Sequence, residues 1–302
     1  MIASARRVWL VALVEWRDAI RSRRALVLLV LYLATSVLCM YGTISMLGRM
    51  EKELVSILGL PGGAQAGIVT ESLWRSEPFR RMVRSAVGDS LVFEDMLVRH
   101  PVELLYAWFA FLLAPMLVTL VSGGRVADER RTGSARYMLM LVTRHEWSVG
   151  KYVGQAMLIA CALAVSALGV WAVVLWRLPS DSAMRLLLPM FGWSAKTWVY
   201  SLSWLGLALG LSHMMRASGK AVALGLVCIG LFKALPNVVG HFVGQGDWPA
   251  ALLHLESLVP SCAEPALWRN SAVAVASGAC HLVTLGLVYL MAGAAFFARR
   301  DA

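Results

Sequence analysis

The sequence predicts an all-α integral membrane protein, organised as one transmembrane domain over residues 1–302. Its expected parts are six transmembrane helices, an N-terminal interfacial amphipathic helix (1–24), a helical cytoplasmic loop between spans 2 and 3 (125–151) and an outer helical hairpin before span 6 (243–271). Three observations carry this. Hydrophobic residues make up 59% and charged residues 15% of the 302, and mean hydropathy is +0.68. A soluble chain has roughly 45–50% apolar and roughly 25% charged residues, so this one cannot cover itself in water. That excludes a disordered chain, a long coiled coil and an ordinary cytosolic enzyme. Long uncharged runs supply the second observation, and the third is a net charge of +10 that is unevenly placed.

The N-terminal 24 residues read as an amphipathic helix. Trp9, Leu13, Trp16 and Ile20 recur at helical spacing, while Arg7, Glu15, Asp18 and Ser22 form another stripe. Two tryptophans on one face suit a helix lying in the membrane interface. Arg21, Arg23 and Arg24 mark the turn into the first span. The apolar stretch 8–14 stops at Glu15 without a small-residue cleavage pattern, so it is not read as a cleavable signal.

The runs 25–48, 104–124, 152–176 and 270–298 contain no Lys, Arg, Asp or Glu. Each meets the need for about 20 apolar residues per helical span. Two further runs, 186–215 and 221–246, carry one lysine each, Lys196 and Lys233. Six spans place both termini on one face. That face, made of 1–24, 125–151, 213–220 and 299–302, holds 16 Lys and Arg against six acids. The opposite segments 48–102, 177–185 and 243–269 are close to neutral. The excess of basic residues makes the first face cytoplasmic, for a multi-pass protein of the cell's inner (plasma) membrane. The +10 then belongs to sidedness and to anionic lipid headgroups, and nucleic acid is not implied.

Segment 48–102 is the largest outer part. It opens on the turn-rich Leu60-Pro61-Gly62-Gly63, then shows apolar faces at Phe79, Met82, Val83, Ala86 and Val87 and again at Val92, Phe93, Met96 and Leu97. A small helical cap results, with the capacity to meet an outer partner protein. Segment 243–271 begins with Trp248-Pro249 and continues through an apolar stretch, 250–258, to Pro260, Pro265 and Trp268. That stretch is too short to cross a bilayer and suits a re-entrant or interfacial hairpin. Pro236 should kink the span before it. Cys39, Cys161, Cys228 and Cys280 lie in apolar runs and Cys262 in an outer loop, so no disulfide framework is expected.

The stretch 129–151, ERRTGSARYMLMLVTRHEWSVGK, has a charged beginning, a glycine, an apolar-faced helix, a basic turn and a Gly-Lys exit. Tyr137, Met138 and Leu141 can form a docking face, and Arg136 and Arg144 can pair with carboxylates or sit at headgroup level. Glu129, Gly133, Ser134, Thr143, Arg144, Gly150 and Lys151 match, in order, the cytoplasmic loop of a known family. The stretch resembles that of ABC transporter permeases of the type 2 exporter class. The chain departs from that pattern at Leu141, where a proline is usual, and in a helix one residue shorter. The likeness extends over the whole chain, through the interfacial first helix, the spans, the outer hairpin and the terminal Phe296-Phe297-Ala298-Arg299-Arg300-Asp301.

The resemblance implies that the loop is a coupling helix received by a separate ABC ATPase subunit, present in two copies. It implies coupling roles for Glu129, Gly133, Arg136, Tyr137, Leu141, Arg144 and Lys151, with Glu129, Arg136 and Arg144 helping to hold the ATPase. ATP and Mg are then expected on that partner, and no cofactor on this chain. The sequence agrees: Gly150-Lys151 and Gly219-Lys220 lack the remainder of a G-x-x-x-x-G-K-[ST] phosphate loop, so the chain is not expected to be an enzyme. The permease is expected to dimerise, with a second copy or a related permease, around a substrate path. Gly206 and Gly210 would allow close helix approach. Lys196 and Lys233 either line that path or have structural roles, Lys196 by reaching the interface beside Trp193 and Trp198, Lys233 by meeting carbonyls freed near Pro236. Two other classes compete: a non-transporting subunit that passes ATP-driven motion to an outer partner, and a membrane-embedded enzyme. Against the latter, no H-E-x-x-H is present and acids are sparse in the spans.

Overall fold

The computed structural model describes residues 2–58, 77, 80–81, 84, 90–177, 180–243 and 257–300. Among them every regular element is helical. In chain order these are α1 (Ile2–Arg21), α2 (Arg23–Leu58), α3 (Ser90–Leu97), α4 (Pro101–Ser122), α5 (Arg125–Thr132), α6 (Ser134–Leu141) and α7 (Arg144–Arg177). They continue with α8 (Ser180–Met214), α9 (Ser218–Val243), a 3-10 turn (Pro260–Cys262), α10 (Glu264–Trp268) and α11 (Ala272–Arg300).

Among the described residues five stretches are long and apolar enough to cross a membrane: Arg23–Met46, Pro101–Thr132, Arg144–Arg177, Ser218–Pro236 and Ala272–Arg299. They overlap five of the six expected runs, stopping short of the run's end at Met46 and Pro236 and starting after its beginning at Ala272. The sixth, 186–215, falls in α8, which is long but less apolar, and the reason is its position. α8 is the central post of the bundle, packed against α4, α7, α9 and α11. Its Tyr200, Trp204, Leu205 and Leu209 are fully buried, and so are Thr197, Ser201, Ser203 and Ser212. A helix surrounded by protein need not be greasy on every side. Ser201 donates to the Thr197 carbonyl at 2.7 Å within the helix, and Ser212 Oγ accepts from the Ala127 amide of α5 at 3.1 Å.

Small residues bring α8 and α11 into backbone contact. A Cβ on Gly206 would lie 1.9 Å from the Gly286 carbonyl oxygen, and one on Gly293 2.4 Å from that of Gly210. Gly206 and Gly210, expected to serve close approach in a dimer, are thus used inside the chain. A second glycine pair holds α1 to α7: Cβ atoms on Gly150 and Gly154 would meet the Val8 carbonyl at 2.9 Å and the Ala12 carbonyl at 2.6 Å.

This docking also corrects the reading of α1. Val11, Ala12, Glu15 and Ala19 are buried, whereas Trp9, Leu13 and Ile20 of the apolar stripe are exposed. The stripe with Glu15 is therefore not simply the watery face. α2 runs ten residues past the end of the uncharged run, to Leu58. α3 buries Val92 and Phe93, the second expected amphipathic unit. The Leu60–Gly63 turn, the Phe79 to Val87 face and the Trp248-Pro249 stretch lie outside the described residues. The five cysteines are unbonded thiols.

Candidate functional site

The loop 125–151 folds as two short helices, α5 and α6, suspended between α4 and α7. Its root is a buried ionic cluster. The Lys151 ammonium, 2% exposed, donates to Glu15 Oε2 at 2.6 Å and also to Glu129 Oε1. Gln155 Nε2 donates to the other Glu15 oxygen at 2.6 Å, and the Ser122 hydroxyl donates to Gln155 Oε1 at 3.0 Å. Five side chains thereby join α1, α4, α5 and α7. Burial pushes the Glu15 carboxyl up, but the Lys151 charge and its hydrogen bond, with Arg125 and Gln155, outweigh it. The Glu15 pKa lies below the ordinary carboxylate value as a result. Two carboxylates around one ammonium leave the cluster with a carboxylate in excess, and Arg125 contributes attraction to both. Removing one partner of such a buried set costs about 3–5 kcal/mol, because the remaining charge stays buried.

Beyond the cluster the chain must reverse. Gly133, at φ 79°, supplies the left-handed residue between α5 and α6. Thr132 and Ser134 brace it, with the Ser134 hydroxyl donating to the Glu129 carbonyl at 3.3 Å. α6 then presents two stripes. Ala135, Met138 and Leu139 turn inward onto the core, and Tyr137, Met140 and Leu141 point out, at 73%, 80% and 75% exposure. Met140, not Met138, therefore completes the outward apolar face, with Arg136 exposed beside it. Three adjoining large apolar side chains in the open are unusual on a polar surface and mark a contact face.

The exit turn has no proline and does not need one. Val142 is extended, the Thr143 amide donates to Glu146 Oε2 at 3.0 Å, and the Glu146 amide donates to Thr143 Oγ1 at 3.3 Å. This reciprocal capping box starts α7. Arg144 turns back into the chain: it donates to the Ala298 carbonyl at 3.2 Å and lies 5.4 Å over the Phe297 ring. Arg130 stacks on the same ring at 4.5 Å and donates to the His213 carbonyl at 2.7 Å. His213 is buried against Trp147, with its Nε2 2.9 Å from the Ser148 hydroxyl. The ends of α8 and α11 are thus clasped by the loop's own arginines.

Comparison with known families decides what this arrangement belongs to. The profile described as ABC-2 family transporter protein matches residues 9–302. This chain is an ABC-2 family transporter membrane protein. No curated protein matches the chain. Members of this family are membrane components of transporters and are not themselves catalytic.

In this ABC-2 chain the predicted residues fall into separate groups. Arg136, Tyr137 and Leu141 share the outer face of α6, while Glu129 and Lys151 meet at its root. Lys196 and Lys233 join neither, nor each other. Lys196 stands 4.4 Å over the Trp193 ring and donates to the Arg269 carbonyl at 3.4 Å. Trp193 itself donates to Glu103 Oε1 at 2.6 Å, the oxygen that also accepts from Arg99 at 2.8 Å. Lys233 pairs with Glu264 at 2.6 Å and faces the Tyr200 ring at 5.2 Å. Glu264, on the short helix before α11, takes the place foreseen for carbonyls near Pro236. Among the described residues no group of three His, Cys, Asp or Glu side chains could hold a metal ion.

Sequence reasoning missed Glu15 and Gln155 as parts of this site, and Met140. For Glu15 the sequence offered no signal, because it shares a stripe with Arg7, Asp18 and Ser22, where an acid is expected to be solvated.

Proposed function

We propose that this chain is the permease subunit of an ABC exporter, with α6 as the coupling helix that a separate ATPase subunit receives. Two ATPase copies bind ATP and Mg, and two permeases, identical or related, enclose the substrate path. Here α8 counts as a sixth span, α1 lies in the interface with Trp9, Leu13 and Ile20 in lipid, and both termini face the cytoplasm of the inner membrane.

The observation that carries this reading is the pairing of an exposed face with a rigid root. Tyr137, Met140 and Leu141 stand on a one-element projection whose base is fixed by the Lys151 cluster and the capping box. Force applied to such a projection moves its supports as a body instead of being absorbed in the loop. In this scheme Arg136, Tyr137, Met140 and Leu141 touch the ATPase. Glu129, Lys151 and Arg144 transmit, with Gly133 setting the turn between them.

The test is co-purification of the chain with its ATPase. A Tyr137→Ser, Leu141→Ser double variant is expected to reduce ATPase capture at least tenfold, a loss of about 1.4 kcal/mol or more, while the permease alone keeps its melting temperature. Unchanged capture and unchanged substrate-stimulated hydrolysis would remove α6 from the coupling role.

A further inference from the structure

The junction of α1 and α2 opens into a cleft of about 370 Å³, counting its open mouth. Its polar wall is made by Ser22, Arg24, Arg125 and Asp128, and its apolar floor includes Leu28 and Val121. The two arginines come from different elements, the elbow of α1–α2 and the first residue of α5. Among the described residues neither has a carboxylate within ion-pair distance. Asp128 is engaged only at 3.7 Å, by Arg131 through Oδ1. Its Oδ2 faces Gly124, itself part of the cleft wall, 3.6 Å from where a side chain there would begin.

We propose that this cleft holds one phospholipid with a phosphoethanolamine headgroup. The phosphate sits between Arg24 and Arg125, the primary ammonium faces Asp128, and the glycerol and acyl chains leave over Leu28 and Val121. Guanidinium groups match phosphate oxygens with paired, charge-assisted hydrogen bonds. The carboxylate decides among headgroups. A phosphoglycerol lipid would offer Asp128 only neutral hydroxyls, leaving its carboxylate without a cation. A choline lipid has no N–H to donate and is bulkier. The location also fits, because the elbow joins an amphipathic helix to a span, where headgroups lie. Gly124 to Asp128 begin the segment that carries Glu129, so the bound lipid abuts the loop's root.

The experiment reconstitutes the full chain in nanodiscs containing ethanolamine, glycerol and choline phospholipids in equal proportion, extracts it gently, and measures retained lipid by mass spectrometry. One ethanolamine lipid per chain is expected, favoured about tenfold over the other two. Arg24→Gln, at an exposed position, should abolish that retention without altering the circular dichroism spectrum. Asp128→Asn should keep a lipid bound but erase the preference for ethanolamine over glycerol. Glycerophosphoethanolamine and inorganic phosphate serve as soluble competitors and should fail to displace the lipid when added in molar excess. Equal retention of the three lipids, wild-type retention by Arg24→Gln, or displacement by inorganic phosphate would each overturn the assignment.

Discussion

Glu15 and Lys151 are 136 residues apart in sequence, and their charged atoms are 2.6 Å apart in the fold. The contact crosses from α1 to the first turns of α7, where Gly150 and Gly154 have already drawn the two backbones together. Geometry and charge reinforce one another here. Without the glycines the carboxylate could not reach, and without the carboxylate the lysine would be buried alone.

The cost of breaking this contact should depend on which charge is left behind. Lys151→Met strands two carboxylates and is expected to destabilise the chain by about 3–5 kcal/mol, whereas Lys151→Met combined with Glu15→Gln should recover a good part of the loss. Denaturation of the purified variants in one detergent gives the comparison. A double variant as unstable as the single one would deny the coupling.

Acid should loosen the same junction. The folded-state pKa of Glu15 lies below its unfolded value, so its contribution is complete above the ordinary carboxylate range and disappears as pH falls through and below it. Burial raises the Glu129 pKa, so its protonation offsets part of this at mildly acidic pH. Melting temperature should decline as pH falls further, through and below the ordinary carboxylate range, and Glu15→Gln should flatten part of that decline while being less stable at neutral pH. Parallel pH profiles for the two proteins would contradict this.

Gly133 carries the only positive φ among the described residues. Gly133→Val should cost about 1–2 kcal/mol from the left-handed backbone alone, and Gly133→Asn much less. The readout is ATPase capture by the reconstituted complex, which should fall for valine and persist for asparagine. The space around Gly133 is open, so a crowding effect is not available as a substitute explanation.

Gly206→Leu should prevent the chain from accumulating in the membrane. A side chain there collides with the backbone of α11, which cannot give as a flexible side chain can. Overpacking usually costs 1–3 kcal/mol, roughly, and a backbone collision lies at or beyond the upper end. Gly219→Leu, with nothing within 4 Å, is the matched control and should accumulate normally. Equal yields would mean that α8 and α11 are not so closely apposed.

What could be read from the residues, and what could not, follows from the range of the forces involved. The helices of the bundle were legible because apolarity is a local property of a run such as 104–124. Glu129 and Lys151 were legible as members of one loop motif, 22 residues apart, but not as partners of each other. Glu15 was not, since an acid on an amphipathic helix looks solvated until the helix packed against it is known. α8 was legible as a helix but not as the central post, because its buried serines lower its hydropathy in the same way that exposed ones would. On α6 the sequence offers two interleaved stripes of equal apolarity. Only packing onto the core assigns Met138 inward and Met140 outward.

The separation of Glu15 from Lys151 also sets an order of events during synthesis. At about 5–20 residues per second, α1 waits roughly 7–27 s before the lysine 136 positions later is even made. Throughout that interval its acid has to be kept wet, which a helix resting on the membrane surface allows and a helix committed to the interior does not. α1 is thus locked only after a helix far later in the chain has been made. The arrival of α7 closes the base of the molecule only after the first two long helices are in place.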